Sequence, residues 1–211
     1  MTITLHCFGE SGNAYKAALA LELSGLDWES VFVDFFGGET RTDDFRRVNP
    51  MGEVPVLVDG DVTLAQSGVI LMHVAERAGR FGGTTPGAAR DVMRWMFWDN
   101  HKLSSQAGMV RFLMNFQPRD KRPAEVITFT KSRLKAAYRV LDAHLRKRDW
   151  IVGDDVTNAD LSCCGYLFYP EPFGFERAEW PGIDRWLGNI QSLPGWKHPY
   201  DLMPGSPADR A

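Results

Sequence analysis

The chain has 211 residues, of which 44% are hydrophobic and 24% are charged, and its formal net charge is −3. This composition excludes a disordered tail, a collagen-like repeat and a small domain held together by disulfides. The charge is unevenly distributed, because residues 1–80 contain 6 basic and 12 acidic side chains and residues 81–211 contain 18 and 15. A change of sign near residue 80 predicts two units with different roles.

The sequence predicts neither a nucleic acid nor a membrane as a partner. A nearly neutral chain lacks the cationic surface that displaces counterions from nucleic acid, and the locally basic residues 111–148 have the spacing of a solvated helix face. No apolar run approaches the roughly 18 residues that span a bilayer, and the first residues do not resemble a signal peptide. Cys7, Cys163 and Cys164 form no Cys-x-x-Cys motif. We therefore expect buried thiols in a reducing, cytoplasmic environment.

The first 80 residues predict an α/β arrangement. Residues 3–7 alternate apolar and polar side chains, which is typical of a half-buried strand, and residues 9–13 form a turn. An alanine-rich helix follows over residues 14–23 and ends at Gly25, and residues 31–33 favour a second strand. Two strands joined through a helix are expected to be parallel.

The same region continues with a short helix and a hairpin. Residues 42–48 suggest the helix, and residues 54–58 and 62–64 predict strands joined by a tight turn. Ser67 is expected to cap a further helix over residues 68–78. The predicted order is therefore β-α-β-α-β-β-α, with the hairpin strands antiparallel.

The pattern changes after residue 80. Residues 81–87 read as a glycine-containing linker, and residues 88–211 are predicted to be an all-helical domain. Helical spacing recurs over residues 88–116 and 127–145, Thr157 opens another helix, and a last amphipathic helix begins at Pro181.

A proline stands inside the predicted third strand, between Val54 and Val56. Proline removes a donor from a sheet, so it belongs at an edge or a bulge. One interpretation is a cis peptide bond that leaves the backbone of Val54 able to pair with an extended peptide ligand. The other is a trans proline on an edge strand. The residues alone leave both interpretations open.

Two predicted helix starts carry hydroxyl groups, one at Ser11 and one at Gln66-Ser67. Helix N-termini expose unpaired N–H groups and a partial positive charge, and so stabilise anions. Ser11 is either a simple N-cap or a donor to a bound thiolate, which would lower the pKa of that thiol. Two such starts beside an unusual proline predict an anionic, peptide-like ligand.

With these features the chain resembles the cytosolic glutathione S-transferase family, in the bacterial type that has a serine at the thiol-activating position. The resemblance covers essentially the whole length. The segments that carry it are the turn from Leu5 to Asn13, Asn49 to Leu57, Gln66 to Ile70, and Thr157 with Asp160. It implies a thioredoxin-like, glutathione-binding domain over 1–80, a linker over 81–87 and an all-α domain over 88–211, in a homodimer.

The resemblance also implies roles for particular residues. By position, Ser11 matches the hydroxyl that activates the thiolate of glutathione. Val54, before a cis Pro55, matches the residue whose backbone pairs with the cysteinyl part. Gln66 and Ser67 match the pair that holds the γ-glutamyl amine and carboxylate.

Arg41 falls where some classes of the family keep a basic residue for the glycyl carboxylate. Two residues depart from the family pattern, and both affect the expected affinity for glutathione rather than its mode of binding. Glu53 would repel the glycyl carboxylate unless Arg41 neutralises it, and Gln66 replaces a glutamate that carries charge. Asn13 is a further candidate, because in one bacterial branch, which reduces disulfides with glutathione, an asparagine there also serves the thiol. Ser11 remains the first choice.

The resemblance implies a small hydrophobic electrophile as the second substrate and no metal. The predicted pocket residues are Phe8, Met109, Phe112 and Tyr166, with Leu113 and residues 196–200 as further candidates. The expected activity is attack of the glutathione thiolate on that electrophile. The alternatives are glutathione-dependent reduction of disulfides or peroxides, and a non-catalytic ligand-binding protein with the same fold.

Overall fold

The computed structural model describes residues 2–205. These residues form two compact units, one made of 2–82 together with 193–205 and the other of 83–192. The sequence predicts an all-helical domain over residues 88–211. The structure groups 193–205 with the first unit, and residues 206–211 lie outside the described residues.

The first unit is built on a mixed four-stranded sheet with the strand order β2-β1-β3-β4. Strand β1 runs parallel to β2, whereas β3 is antiparallel to both β1 and β4. This is the thioredoxin-like arrangement that the resemblance implied. Its elements are β1 (Ile3–Cys7), α1 (Gly12–Ser24), β2 (Trp28–Phe32), α2 (Asp43–Val48), β3 (Val56–Asp59), β4 (Val62–Ala65) and α3 (Ser67–Ala78).

The core of this unit follows from two patterns in the sequence. Ile3, Leu5 and Cys7 on alternate positions of β1 are buried, with at most 1% of their surface exposed. Helix α1 is buried almost all round because its small alanines allow neighbouring elements to approach closely. Gly25 ends α1 in the left-handed conformation (φ 73°), which glycine adopts without steric cost.

Two sequence predictions in this unit differ from the structure in the residues that they name. Strand β2 is Trp28–Phe32, not residues 31–33, because it lies at the sheet edge and most of its side chains face solvent. An exposed strand lacks the apolar alternation by which strands are recognised. Ser67 does not cap α3 but is its first residue, and Gln66 occupies the N-cap position without a side-chain hydrogen bond.

The second unit is helical. Residues 99–104 form a wider π-helical turn that joins its first two helices, and the Asp99 carboxylate in that turn accepts hydrogen bonds from the hydroxyls of Ser104 (2.7 Å) and Ser162 (2.6 Å). No helix within residues 2–205 is both long enough and apolar enough to cross a membrane. The elements of this unit are α4 (Pro86–Trp98), α5 (Ser105–Asn115), α6 (Ala124–Leu145), α7 (Asn158–Cys163) and α8 (Pro181–Gln191). Helix α9 (Pro199–Leu202) belongs to the first unit.

Helix α7 begins with a capping box formed by Thr157 and Asp160, two of the residues that carry the family resemblance. The buried Asp160 carboxylate accepts the N–H groups of Thr157 (2.8 Å) and Ile151 (2.8 Å) and the indole N–H of Trp186 (2.9 Å). Burial raises the pKa of Asp160, and these hydrogen bonds partly oppose that effect. The motif is therefore a folding device that ties three segments of the unit together.

Candidate functional site

Ser11 lies where the chain leaves β1 and enters α1. Its extended backbone (φ −83°, ψ 104°) makes it the N-cap, and its Oγ accepts the N–H of Ala14 at 3.2 Å. Its own N–H donates to the carbonyl of Phe8 at 3.1 Å. No acceptor in the part of the chain that the structure describes takes the Ser11 hydroxyl proton. The cap therefore orients the oxygen and leaves its proton available to an anion.

Asn13 lies in the first turn of the same helix. Its side chain is partly exposed, but its Oδ1 atom is buried and has no hydrogen-bond partner among residues 2–205. A buried polar atom without a partner is costly in a folded protein, so it calls for an explanation. A ligand at the start of α1 would supply that partner.

The turn before Ser11 is supported by aromatic packing. The ring of Phe8 is 7% exposed and stacks on Phe35 with 4.9 Å between ring centroids and an interplanar angle of 12°. Phe36 meets Phe8 edge-on at 5.8 Å. Rings in these geometries attract one another beyond their area burial, so the backbone of the turn is held firmly.

A second loop, residues 49–55, leads into β3. Asn49 is buried, and its side chain accepts the N–H of Met51 (3.1 Å) and donates to the carbonyl of Glu53 (2.7 Å). Gly52 has a φ of 66°, and a Cβ there would lie 2.9 Å from the carbonyl oxygen of Thr40. Neither Asn49 nor Gly52 was singled out from the sequence as a positioning residue, although both lie in the segment that carried the resemblance.

This loop presents the backbone of Val54. The Val54–Pro55 peptide bond is cis. Within the described chain, neither the N–H nor the carbonyl of Val54 takes part in a hydrogen bond. The side chain of Val54 packs against the buried cluster of Val33, Phe45 and Val56. The backbone is thus fixed by packing while its donor and acceptor are left for an extended ligand.

Gln66 and Ser67 form the start of α3. Gln66 has φ 70° and ψ 115°, a backbone conformation that costs a residue with a side chain roughly 1 to 3 kcal/mol. Its side-chain amide donates to the Glu53 carboxylate at 3.2 Å and contacts the sulfur of Met51 at 3.3 Å. Ser67 is half-buried, and its hydroxyl bonds to no described residue. Strain and an unpaired hydroxyl at a helix N-terminus together suit a carboxylate ligand.

Arg41 ends a 3-10 turn over Glu39–Arg41 and is exposed. Its guanidinium folds back over Gly38 (φ 93°), where a Cβ would lie 2.6 Å from Nη2. Over residues 2–205, Arg41 forms no ion pair, and the Glu53 carboxylate is engaged by Gln66 instead. An ion pair between Arg41 and Glu53 is therefore not present among the described residues.

The four residues predicted for a second-substrate pocket belong to different units, so each is described within its own. Phe8 lies in the first unit, as described above. In the second unit, Met109 is 53% exposed on α5, and the ring of Phe112 lies 6.4 Å from that of Phe116. Tyr166 is 9% exposed, and a Cβ on Gly108 would lie 2.9 Å from its hydroxyl. Their role in a common pocket stays a prediction.

The cysteines do not offer a reactive thiol. Burial raises the pKa of Cys7 to about 12, so its thiol is protonated at neutral pH. Cys163 and Cys164 are buried as well, and none of the three is in a disulfide in the described chain. Among residues 2–205, no group of three or more His, Cys, Asp or Glu side chains is arranged to hold a metal ion.

Comparison with known protein families matches both parts of the chain. Residues 1–76 match the family model described as "Glutathione S-transferase, N-terminal domain". Residues 103–194 match the one described as "Glutathione S-transferase, C-terminal domain". The first match contains Ser11, Arg41, Val54 and Ser67.

Individual proteins agree with these models. A solved glutathione S-transferase from Xanthobacter autotrophicus Py2 is 31% identical, with a TM-score of 0.86 and coverage of 99% of both chains. "Glutathione S-transferase 3" from Zea mays is 31% identical over 72% of this chain and 71% of its own length. "Disulfide-bond oxidoreductase YfcG" from Escherichia coli is 25% identical over 89% of both chains.

Proposed function

The chain belongs to the glutathione S-transferase family, and from this membership we propose that it binds glutathione on its first unit and transfers the thiolate to a small hydrophobic electrophile. The same reasoning extends to a homodimer in the cytoplasm, and to Phe8, Met109, Phe112 and Tyr166 as residues that contact the electrophile. Glutathione is a substrate of this reaction, and no metal takes part in it.

The observation that carries the proposal is the hydrogen-bond arrangement of Ser11. Its oxygen is oriented by the N–H of Ala14, and its proton has no acceptor in the described chain. A hydroxyl in this state donates to a thiolate, and the N-terminus of α1 adds a partial positive charge. Both effects favour the charged form of the thiol, whose ordinary pKa is about 8.5. The thiolate is the nucleophilic form, so its fraction at neutral pH rises.

The other site residues suit the remaining parts of glutathione. The unpaired N–H and carbonyl of Val54 match the backbone groups of the cysteinyl residue. The hydroxyl of Ser67 and the N–H groups at the start of α3 match the γ-glutamyl carboxylate, and the Gln66 side chain accepts from the amine. Arg41, which has no ion pair in the described chain, is assigned to the glycyl carboxylate.

The reaction needs no further group from the protein. In the simplest case, the thiolate attacks the carbon of an aryl halide, a carbon–sulfur bond forms, and the halide ion leaves with the electron pair of the broken bond. The thiol proton passes to solvent when glutathione binds. The protein contributes orientation and stabilisation of the thiolate, which together lower the barrier.

The test compares Ser11→Ala with Thr85→Ala, using an aryl halide and saturating glutathione. Thr85 is the N-cap of α4 and accepts the N–H of Ala88 at 3.1 Å, so its loss removes the same kind of cap elsewhere. A hydrogen bond to a charged group contributes about 1.5 to 3 kcal/mol. We therefore expect Ser11→Ala to lower kcat by about 10- to 100-fold and Thr85→Ala to leave it unchanged. Equal kcat values for the two variants would refute the role of Ser11.

Reduction of disulfides with glutathione is a second candidate, and Asn13 favours it. Its buried Oδ1 lacks a partner in the described chain, and the similar Escherichia coli protein is named a disulfide-bond oxidoreductase. In this reaction one glutathione thiolate attacks a disulfide sulfur and releases one thiol. A second glutathione then displaces the other thiol, so that glutathione disulfide is the product.

Assays on a small disulfide and an aryl halide separate the two functions. Disulfide reduction as the main activity predicts a higher kcat/KM for the disulfide, and a larger loss of that activity in Asn13→Ala than in Ser11→Ala. Transfer to an electrophile predicts the reverse order in both comparisons. Calorimetry adds an outcome that removes both functions, namely no binding of glutathione at millimolar concentration.

A further inference from the structure

The last described residues form a strap across the first unit. We use this name for residues 193–205, which follow α8 and include the short helix α9. The strap is anchored by the buried side chains of Pro199, Leu202 and Met203. Its backbone is also tied to α1, because the hydroxyl of Tyr15 donates to the carbonyl of Lys197 at 2.9 Å.

A charged contact reinforces the same anchorage. The ammonium group of Lys197 lies 2.7 Å from the carboxylate of Glu22, which is also on α1. Both side chains are partly exposed, so this ion pair contributes at most about 1 kcal/mol. Burial of the side chains of Pro199, Leu202 and Met203 therefore contributes more than this ion pair to fixing the strap on the first unit.

The strap ends on the turn that precedes Ser11. The N–H of Gly9 donates to the carbonyl of Pro204 at 2.6 Å. A Cβ on Gly9 would lie 3.2 Å from three atoms of the strap, namely the carbonyl oxygens of Pro204 and Gly205 and the Cδ1 atom of Tyr200. The strap thus lies directly against the backbone of the turn, and a Cβ at Gly9 would require it to move by a few tenths of an ångström.

We propose that the strap is a positioning element for the Ser11 hydroxyl, with Tyr200 and Pro204 as the positioning residues. The proposal rests on the proposed role of Ser11. Gly9 lies between Phe8, whose carbonyl accepts the Ser11 N–H, and Ser11 itself, so the bond to Pro204 fixes the middle of the turn. Catalytic groups are sensitive to such support, because a shift of about 1 Å can cost about 100-fold in rate.

The turn is held by aromatic stacking and by backbone hydrogen bonds, and the strap supplies one of these hydrogen bonds. Phe8 is fixed by its stacking on Phe35, and Ser11 is fixed by its bond to Phe8. The bond to Pro204 constrains Gly9 from a segment nearly 200 residues away in sequence. Loosening the strap is therefore expected to disturb the orientation of the Ser11 hydroxyl without removing it.

Two glycines of the strap provide a matched pair of substitutions. Gly205 has a φ of 83°, and a Cβ there would collide with the ring of Phe32. Gly195 has a φ of 90°, but its Cβ would meet no atom closer than 3.9 Å. Alanine at either position carries the same backbone strain, while only Gly205→Ala also creates a clash at the strap end, which a shift of the strap or of the half-exposed Phe32 ring must relieve.

The experiment measures two properties of Gly205→Ala, Gly195→Ala and the wild-type protein. The first is hydrogen exchange at the Gly9 amide, and the second is the pH profile of kcat/KM with an aryl halide. In Gly205→Ala we expect about tenfold faster exchange and an acid limb shifted upward by about half a pH unit. Gly195→Ala should match the wild type in both, even where its melting temperature falls.

Tyr200→Leu is the second variant, in case Gly205→Ala does not fold. It removes the ring against Gly9 and should shift the pH profile in the same direction. Profiles of Gly205→Ala or Tyr200→Leu that superimpose on that of Gly195→Ala would overturn the proposal. This failure is distinct from failure of the proposed function, since Ser11→Ala tests the latter on its own.

Discussion

The helix N-termini of the two units differ in how their polar groups are paired. At α7, in the helical unit, the Asp160 carboxylate of the capping box accepts hydrogen bonds from three segments of the chain. At α1 and α3, in the thioredoxin-like unit, the hydroxyl proton of Ser11 has no acceptor in the described chain, and the side chain of Gln66 makes no capping hydrogen bond. Polar groups at a helix start that are paired within the protein stabilise the fold, whereas groups with no partner in the described chain are available to a ligand. The contrast separates the folding residues from the site residues.

The largest effect is expected at the start of α7. Asp160→Ala leaves the N–H groups of Ile151 and Thr157 and the indole of Trp186 without their buried acceptor. Losing a buried network of this kind costs about 3 to 5 kcal/mol of unfolding free energy. Chemical denaturation measures the loss, with Thr85→Ala as the control for an exposed cap. A loss below about 1 kcal/mol would contradict the comparison.

The next effect concerns the start of α3. Ser67→Ala removes a hydroxyl that has no partner in the described chain, so stability should change little. We expect KM for glutathione to rise about tenfold with kcat nearly constant, because the hydroxyl holds the ground state and the transition state equally. Ser105→Ala, at the first residue of α5, is the control. A change in kcat without a change in KM would contradict the assignment of the Ser67 hydroxyl to glutathione binding.

Gln66→Gly is expected to raise the stability of the protein and to weaken its binding of glutathione. The left-handed backbone of Gln66 is strained, and glycine relieves it by about 1 kcal/mol. The same change removes the side chain assigned to the amine of glutathione, so affinity should fall. Denaturation and calorimetry measure the two quantities. A variant that gains stability and binds glutathione as tightly as before would show that the strain has no connection with binding.

The smallest effect is expected at the cysteines. Burial holds the Cys7 thiol in its protonated form, with a pKa of about 12, and Cys163 and Cys164 are buried too. The native protein should therefore react very slowly with an alkylating reagent at pH 8, and all three cysteines should react after unfolding. Rapid alkylation of Cys7 in the native state would place a reactive thiol near Ser11 and would reopen cysteine-based chemistry.

Much of this contrast was predictable from the sequence, because it depends on local patterns. The alternation at residues 3–7 predicted β1, and Thr157 predicted the start of α7. Ser11 was identified at the start of α1 for the same reason. Each signal is confined to a few neighbouring residues, so no tertiary information was required.

The remaining features depend on contacts between distant residues. Strand β2 was displaced because edge strands lack apolar alternation, and Ser67 was taken for a cap because its neighbour's left-handed backbone has no sequence signal. The bond between Gly9 and Pro204 joins residues far apart in the sequence, so no local pattern predicts it. The pairing of Glu53 with Gln66, rather than with Arg41, was likewise settled by the loop conformation.

The central claim is that Ser11 stabilises the thiolate of bound glutathione, and a pH titration tests it most directly. The thiolate absorbs in the ultraviolet, so its fraction can be followed on the wild type, Ser11→Ala and Thr85→Ala. On the wild type and on Thr85→Ala, the midpoint should lie about one to two units below the ordinary thiol value of about 8.5. On Ser11→Ala it should return most of the way to that value. A midpoint in Ser11→Ala equal to that of the wild type would contradict the account.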